Sequence, residues 1–296
     1  MQTEDLSGHS YKYRPPFRGE KIMTDGVTYQ IGSKIGQGSY ASVYECTDDW
    51  GNYLVAKVLV PQNISYEKLK KDWEIETRTL INLRNPFITQ IYAAFEYKST
   101  FYIITDRFKC TLGDLLEKNE IDLQKLIIKI SKTILQAIDY LHKSEVIHND
   151  IHIDNILTSY SEVNPKDRLP ESITFKLSDF GISRFQKDEN FIKVYSNKRI
   201  VPPEIIDPRE FGHPDQSIDI YFSALVFLQI LYGKLFFFTN EDIINNIPKK
   251  LALKLPAPYN YALAKALTRH VRFRTRTALD FWHDLNLTEQ YSSVEF

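Results

Sequence analysis

The texture of the chain changes near residue 107, and that change limits the architectures open to it. Before it, the runs TYQIGSKIG, SVYECTD, YLVAKVLV, ITQIYAAFEY and TFYIITD are β-branched and aromatic, broken by Gly, Asp or Asn. Such runs read as strands of one sheet. Asp48-Asp49-Trp50-Gly51-Asn52 has the composition of a hairpin turn between two of them. After residue 110 the period lengthens. QKLIIKISKTILQAIDYLHK repeats Leu126, Ile127, Ile130, Ile134, Ile138 and Leu141 on one helical face. The expected class is therefore α+β and bilobal: a small β-rich lobe over about 29–107, then a larger helical lobe over about 108–286. Two lobes of unlike texture invite a ligand between them. Residues 1–28 are expected to form a flexible arm and 287–296 a short tail.

One helix interrupts the sheet texture. In SYEKLKKDWEIETRTLINL, Leu69, Trp73, Glu76, Leu80 and Leu83 recur at helical spacing, with Ser65 as N-cap. Glu76 thus lies on the apolar stripe, where a carboxylate is expensive without a partner. Lys57, inside the apolar run Val55-Ala56-Lys57-Val58, can supply the missing cation if it points inward. The apolar run 220–238 imitates a membrane span, but Gln229, Gly233 and Lys234 interrupt it, so a buried core helix is expected. A net charge of −1 gives no sign of a nucleic-acid or membrane partner. Two cysteines far apart, Cys46 and Cys110, suggest neither a disulfide framework nor zinc, and the polar N-terminus has no leader-like apolar stretch. A cytoplasmic location follows as the expectation.

Four short motifs carry chemistry. Ile35-Gly36-Gln37-Gly38-Ser39-Tyr40-Ala41-Ser42-Val43 sits between two strands, and its glycines let backbone N–H groups approach phosphate oxygens. Lys57 follows on the next strand. In HNDIHIDNIL, residues 148–157, Asp150 and Asn155 stand five apart. In Ser178-Asp179-Phe180-Gly181 an acidic residue follows a strand and a glycine permits a sharp turn.

A Gly-rich loop, a strand lysine, a helix Glu, H-x-D-x-x-x-x-N, D-F-G and P-P-E, in that order, resemble the eukaryotic-type protein kinase family over about Tyr29 to Leu285. The resemblance implies roles. ATP would be bound by Ile35, Gly36, Gly38, Val43, Ala56, Lys57, Thr105, Asp106, Phe108 and Leu157, with Thr105 as gatekeeper and Asp106-Arg107-Phe108 as hinge. Lys57, paired with Glu76, would hold phosphates. Asp150 would accept the proton of the substrate hydroxyl, and His152 would stand where a lysine usually touches the transferred phosphate. Asn155 and Asp179 would ligate Mg²⁺, or Mn²⁺ in its place. Leu80, Ile91, His148 and Phe180 would form an apolar stack, Asp219 would hold the catalytic loop, and Glu204 would pair with Arg274. The implied function is transfer of the γ-phosphoryl group of Mg-ATP to a protein hydroxyl, Ser/Thr rather than Tyr, including autophosphorylation. The alternatives are a pseudokinase that binds nucleotide or a partner without turnover, and a small-molecule kinase on the same fold.

Four positions depart from that pattern. Ala41 replaces the last loop glycine, at a cost of about 1–2 kcal/mol if the site needs φ > 0. Asn149 replaces the arginine that meets a phosphorylated activation segment and cannot grip phosphate bidentately. Tyr195 and Ser196 are then expected to be bystanders rather than switches. His152 carries less charge than lysine at neutral pH, so slower turnover favoured by mild acid is expected. SNKRIVPPE, residues 196–204, lacks the usual Ser/Thr-kinase pattern before P-P-E.

Overall fold

The computed structural model describes residues 3–4, 10–11, 13–38, 41–61, 65–180, 184–185 and 200–286. Tyr195, Ser196 and Gly181, and the side chains of Glu76 and Leu80, lie outside the described residues. The chain divides into two compact units, 1–84 with 89–107 and 85–88 with 108–296.

In the first unit β1 (Thr3–Glu4) pairs with β2 (Ser10–Tyr11). The main feature is a six-stranded antiparallel sheet. Its strands are β3 (Lys21–Thr24), β4 (Val27–Gln37), β5 (Ala41–Thr47), β6 (Tyr53–Leu59), β7 (Ile91–Tyr97) and β8 (Thr100–Asp106), in the order β3-β4-β5-β6-β8-β7. Alternation places Tyr29, Ile31, Tyr44, Cys46, Leu54, Ala56, Val58, Tyr102 and Ile104 in one core, where the Phe95 ring stacks on Tyr102 at 5.2 Å. The β5–β6 turn forms as its composition suggests. Asp48 Oδ1 accepts from the backbone N–H of Trp50 and Asn52, and Gly51 takes φ 74°. The helix α1 (Tyr66–Ile81) starts where Ser65 Oγ accepts the Lys68 N–H, and Trp73 Nε1 donates to Tyr102 O at 3.2 Å.

The arm expected to be flexible contributes residues 21–24 and 27–28 to this sheet. β3 forms its edge, and Ile22, 1% exposed, belongs to the core. Buried Glu20 lies 3.2 Å from Lys98 Nζ and 3.7 Å from an Arg14 nitrogen. Thr100 Oγ1 accepts from Arg14 N and donates to Arg14 O. One inward apolar side chain in a four-residue strand is too short a period-two signal to find by pattern.

The second unit opens with β9 (Cys110–Thr111), α2 (Leu112–Lys118), α3 (Ile127–Lys143) and β10 (Val146–Ile147). A 3₁₀ turn, Ile153–Asn155, leads into β11 (Ile156–Tyr160), β12 (Val163–Asn164), β13 (Leu169–Pro170), β14 (Ile173–Leu177) and β15 (Arg184–Phe185). The short helices α4 (Pro203–Ile206) and α5 (Pro208–Phe211) precede α6 (Ser217–Tyr232). The last helices are α7 (Asn240–Ile244), α8 (Ile247–Ala252), α9 (Tyr259–Ala266) and α10 (Ala278–Leu285). β11 lies between β14 and β9, β10 pairs with β15, and β12 with β13.

Helix α6 is apolar around most of its circumference because it is buried from Ser217 to Ile230, and it stops at Gly233 in the left-handed conformation, φ 64°. No helix among the described residues is long and apolar enough to cross a membrane. Glu204 and Arg274 meet as expected. Both side chains are fully buried, and two parallel N–H···O contacts of 2.6 and 2.7 Å join them. The sheet-rich first unit and helix-rich second unit are the α+β division that the texture predicts.

Candidate active site

The loop 148–152 in the second unit is built around one carboxylate. Asp219, in the first turn of α6, has no solvent exposure, so its oxygens need protein donors. Its Oδ1 accepts the Asn149 N–H at 2.9 Å, and its Oδ2 accepts the His148 N–H at 2.9 Å and His142 Nε2–H at 2.9 Å. These bonds hold Asn149 at φ 66°, a left-handed conformation that Asn tolerates better than most residues. The Asn149 side chain is buried and donates to Ile147 O at 3.4 Å. The hydrogen bonds that the loop donates to Asp219 explain how this departure is accommodated.

His148 is fixed from all sides. Its Nδ1 accepts the Asp150 N–H at 3.3 Å, so Nε2 carries the proton and donates to Ser178 O at 3.1 Å. Burial pushes the imidazole below its ordinary pKa, with the Asp219 carboxylate opposing the shift. Its ring lies 4.9 Å from that of Phe180, which is 1% exposed. Two members of the expected apolar stack therefore touch.

Asp150 and Asn155 lie in one segment and Asp179 in another, and hydrogen bonds tie the two together. Asn155 Nδ2 donates to Asp150 O at 2.9 Å, which makes Oδ1 the acceptor end of its amide. Asn155 O accepts both the Ser178 N–H at 2.8 Å and Ser178 Oγ–H at 3.0 Å. Asp179 follows at φ 62°, between pinned Ser178 and buried Phe180. An amide oxygen and a carboxylate are hard donors that fit Mg²⁺, an ion that keeps waters and takes substrate oxygens instead of a full protein cage. No cluster of three His, Cys, Asp or Glu suited to a metal occurs among the described residues. The His152 side chain is 44% exposed, with Nε2 3.9 Å from Asp150 Oδ2.

In the first unit the glycine hairpin joins β4 to β5. Gly36 lies opposite Val43, and Gly38 N donates to Ala41 O at 2.8 Å; Ser39 and Tyr40 lie outside the described residues. Ala41 begins β5, paired with Leu59, and is not among the residues with positive φ. The loss of that glycine therefore carries no backbone cost.

Lys57 on β6 pairs with Val43 on β5 and Ile103 on β8, while Val55 pairs with Thr105. Paired residues share a sheet face, so Val43, Val55, Lys57, Ile103 and Thr105 form one surface. Ala56 points the other way and is fully buried in the core. The assignment of Ala56 to nucleotide binding is thus corrected. Val55, two residues before Lys57, shares the lysine's face instead, and counting in steps of two from the lysine finds it. Ile35 is 49% exposed on β4. Asp106 accepts from Gln90 N and Tyr92 Oη, and Arg107 contacts Glu45 at 2.7 Å. In the second unit Phe108 carries Lys176 Nζ 5.8 Å from its ring centre, and Leu157 on β11 pairs with Lys176 and Thr111. Sequence reasoning also missed Ser178 and His142 as supports, and nothing short of the folded contacts marks either.

Comparison with known proteins adds a second line of information. The family model described as "Protein kinase domain" matches residues 29–285. NUAK family SNF1-like kinase 1 of Mus musculus is 24% identical over 74% of this chain and 32% of its own length. Serine/threonine-protein kinase AFC1 of Arabidopsis thaliana is 28% identical over 77% of this chain and 54% of its own. The Aurora kinase of Saccharomyces cerevisiae is 26% identical over 84% of this chain and 64% of its own. The chain spans between about a third and two thirds of the length of these relatives.

Proposed function

The chain belongs to the protein kinase family, and on that premise we propose that it transfers the γ-phosphoryl group of ATP to serine or threonine hydroxyls of a protein, its own chain included. The observation that carries this reading is the bonded unit of Asp150, Asn155 and Ser178-Asp179, held on buried Asp219. Relatives whose printed names include serine/threonine kinase support the acceptor class.

Each group has one task. Asp150 orients the acceptor hydroxyl and takes its proton as the new O–P bond forms and the bond to the β-phosphate bridging oxygen breaks. Asn155 Oδ1 and the Asp179 carboxylate would hold the divalent ion, which would neutralise phosphate charge. Lys57 steadies the phosphates. In the first unit Val43 and Val55 are assigned to the base, Thr105 borders it, and the backbone of Gly36 and Gly38 covers the phosphates. Such catalysis rests on positioning and electrostatics, which the satisfied hydrogen bonds of this loop support.

The buried Asn149 side chain has no cation to offer a phosphorylated segment, so activity independent of activation-segment phosphorylation is part of the proposal. The test is incubation with γ-labelled ATP and Mg²⁺, beside Lys57→Ala and Asp179→Asn, followed by phosphoamino-acid analysis. Labelled phosphoserine or phosphothreonine that disappears in both variants supports the reading. Nucleotide binding without label would favour a pseudokinase.

A further inference from the structure

We propose that His152 is a two-ended positioning residue. One imidazole nitrogen caps the turn that carries Asn155, and the other directs its N–H toward the carboxylate of Asp150. The inference rests on the roles given above to Asp150 and Asn155.

The cap is visible in the backbone. His152 is extended, φ −147° and ψ 169°, at the N-cap of the 3₁₀ turn Ile153–Asn155, and its Nδ1 accepts the Asp154 N–H at 3.3 Å. Its carbonyl oxygen accepts the Asn155 N–H at 3.0 Å. One residue thus satisfies two backbone donors of a short turn that has few bonds of its own.

The other end follows from proton count. A neutral imidazole has one N–H, and Nδ1 is used as an acceptor, so Nε2 bears the hydrogen. Nε2 lies 3.9 Å from Asp150 Oδ2, a gap that a small ring rotation or one water closes. The other carboxylate near the ring is Asp154, whose Oδ2 is 3.7 Å from Nδ1. Asp154 is seated against α2, where a Cβ on Gly113 would collide with its Oδ1. Gly113 therefore leaves the room in which the turn sits.

A lysine at position 152 offers a charge but no acceptor, so restoring the common residue of the family removes the cap. Two amides separate the functions. The oxygen of Asn reaches the place of Nδ1, and the amino group of Gln reaches the place of Nε2.

The experiment uses the full chain with His152→Asn, His152→Gln and His152→Lys. Urea unfolding reads the cap. The Asn variant should match the wild type, whereas Gln and Lys should each lose about fivefold in the folding equilibrium. Turnover reads the other end. The Asn variant should lose roughly tenfold or more in kcat with KM for ATP unchanged. Side-chain ¹⁵N spectra of histidine-labelled wild type at alkaline pH, assigned by the signal that the Asn variant lacks, should show the Nε2–H tautomer. Equal stability of all three variants, an unchanged kcat in the Asn variant, or an Nδ1–H tautomer would each overturn the proposal. A wild type without turnover would sink the kinase reading instead, and the unfolding order and the tautomer would still judge His152.

Discussion

Replacing Asp219 with Asn isolates what one buried carboxylate does. The aspartate accepts three N–H donors, one on Oδ1 and two on Oδ2, without solvent exposure. Asparagine keeps the shape but turns one oxygen into an amino group. In its better orientation the remaining oxygen faces His148 N and His142 Nε2, and the amino group faces the Asn149 N–H, donor against donor. The Asn149 N–H and the new amino group then both go unsatisfied, at about 1–3 kcal/mol each, and two bonds lose charge assistance, so the total is at least about 2–4 kcal/mol. Asn149 sits at φ 66° and needs its anchor, so the loop should relax and Asp150 should move. A shift of about 1 Å at that position costs on the order of 10²-fold in kcat. Urea titration of both proteins measures the first effect, and steady-state turnover with nucleotide affinity measured alongside gives the second. A variant within about 0.5 kcal/mol of wild type, with undiminished kcat, would refute the claim that Asp219 organises the loop.

Three other perturbations test separate parts of the account. Val55→Phe should weaken nucleotide binding at least tenfold with little change in unfolding, whereas Ala56→Val should destabilise by about 1–3 kcal/mol through overpacking; calorimetry and urea titration distinguish them. Ile22→Ala should cost about 2–4 kcal/mol, because β3 is part of the core and not an arm; a loss below about 0.5 kcal/mol in urea titration would restore the flexible arm. His148 has a pKa lowered by burial, so the unfolded chain takes up the proton more readily. The stability tied to its neutral form is fully present above the unfolded value of about 6.5 and is lost as pH falls from there through the lower folded value. Unfolding curves across that window should slope less for His148→Phe than for wild type, by up to about 1.4 kcal/mol per pH unit.

What the sequence revealed follows the range of each interaction. The two textures, the Ser65 cap, the Asp48 turn and the Gly233 stop depend on neighbours within one turn, and each forms as its residues imply. The order of motifs located Asp150, Asn155 and Asp179, and the contacts that bind their segments together arise only on folding. Ser178 and His142 bond across 23 and 77 positions, and neither is unusual in its local setting. Ala56 was misplaced for a different reason. The motif's residue types were matched without its parity, and a strand turns every second side chain away. The arm was misread because Ile22 and Glu20 owe their burial to distant partners, Lys98 among them. Asn149 looked like a loss, but Asp219 and a left-handed backbone give it a structural reason.

The central claim is that this loop transfers phosphate with Asp150 as the base. Rapid-quench turnover with Mg-ATP bound beforehand, on wild type and Asp150→Asn with an acceptor protein, tests it most directly. The account predicts phosphoprotein from the wild type and equal nucleotide affinity in the variant, with transfer slowed about 10²–10⁴-fold. Equal rates in the two proteins, or a wild type that binds nucleotide and transfers nothing, would contradict it.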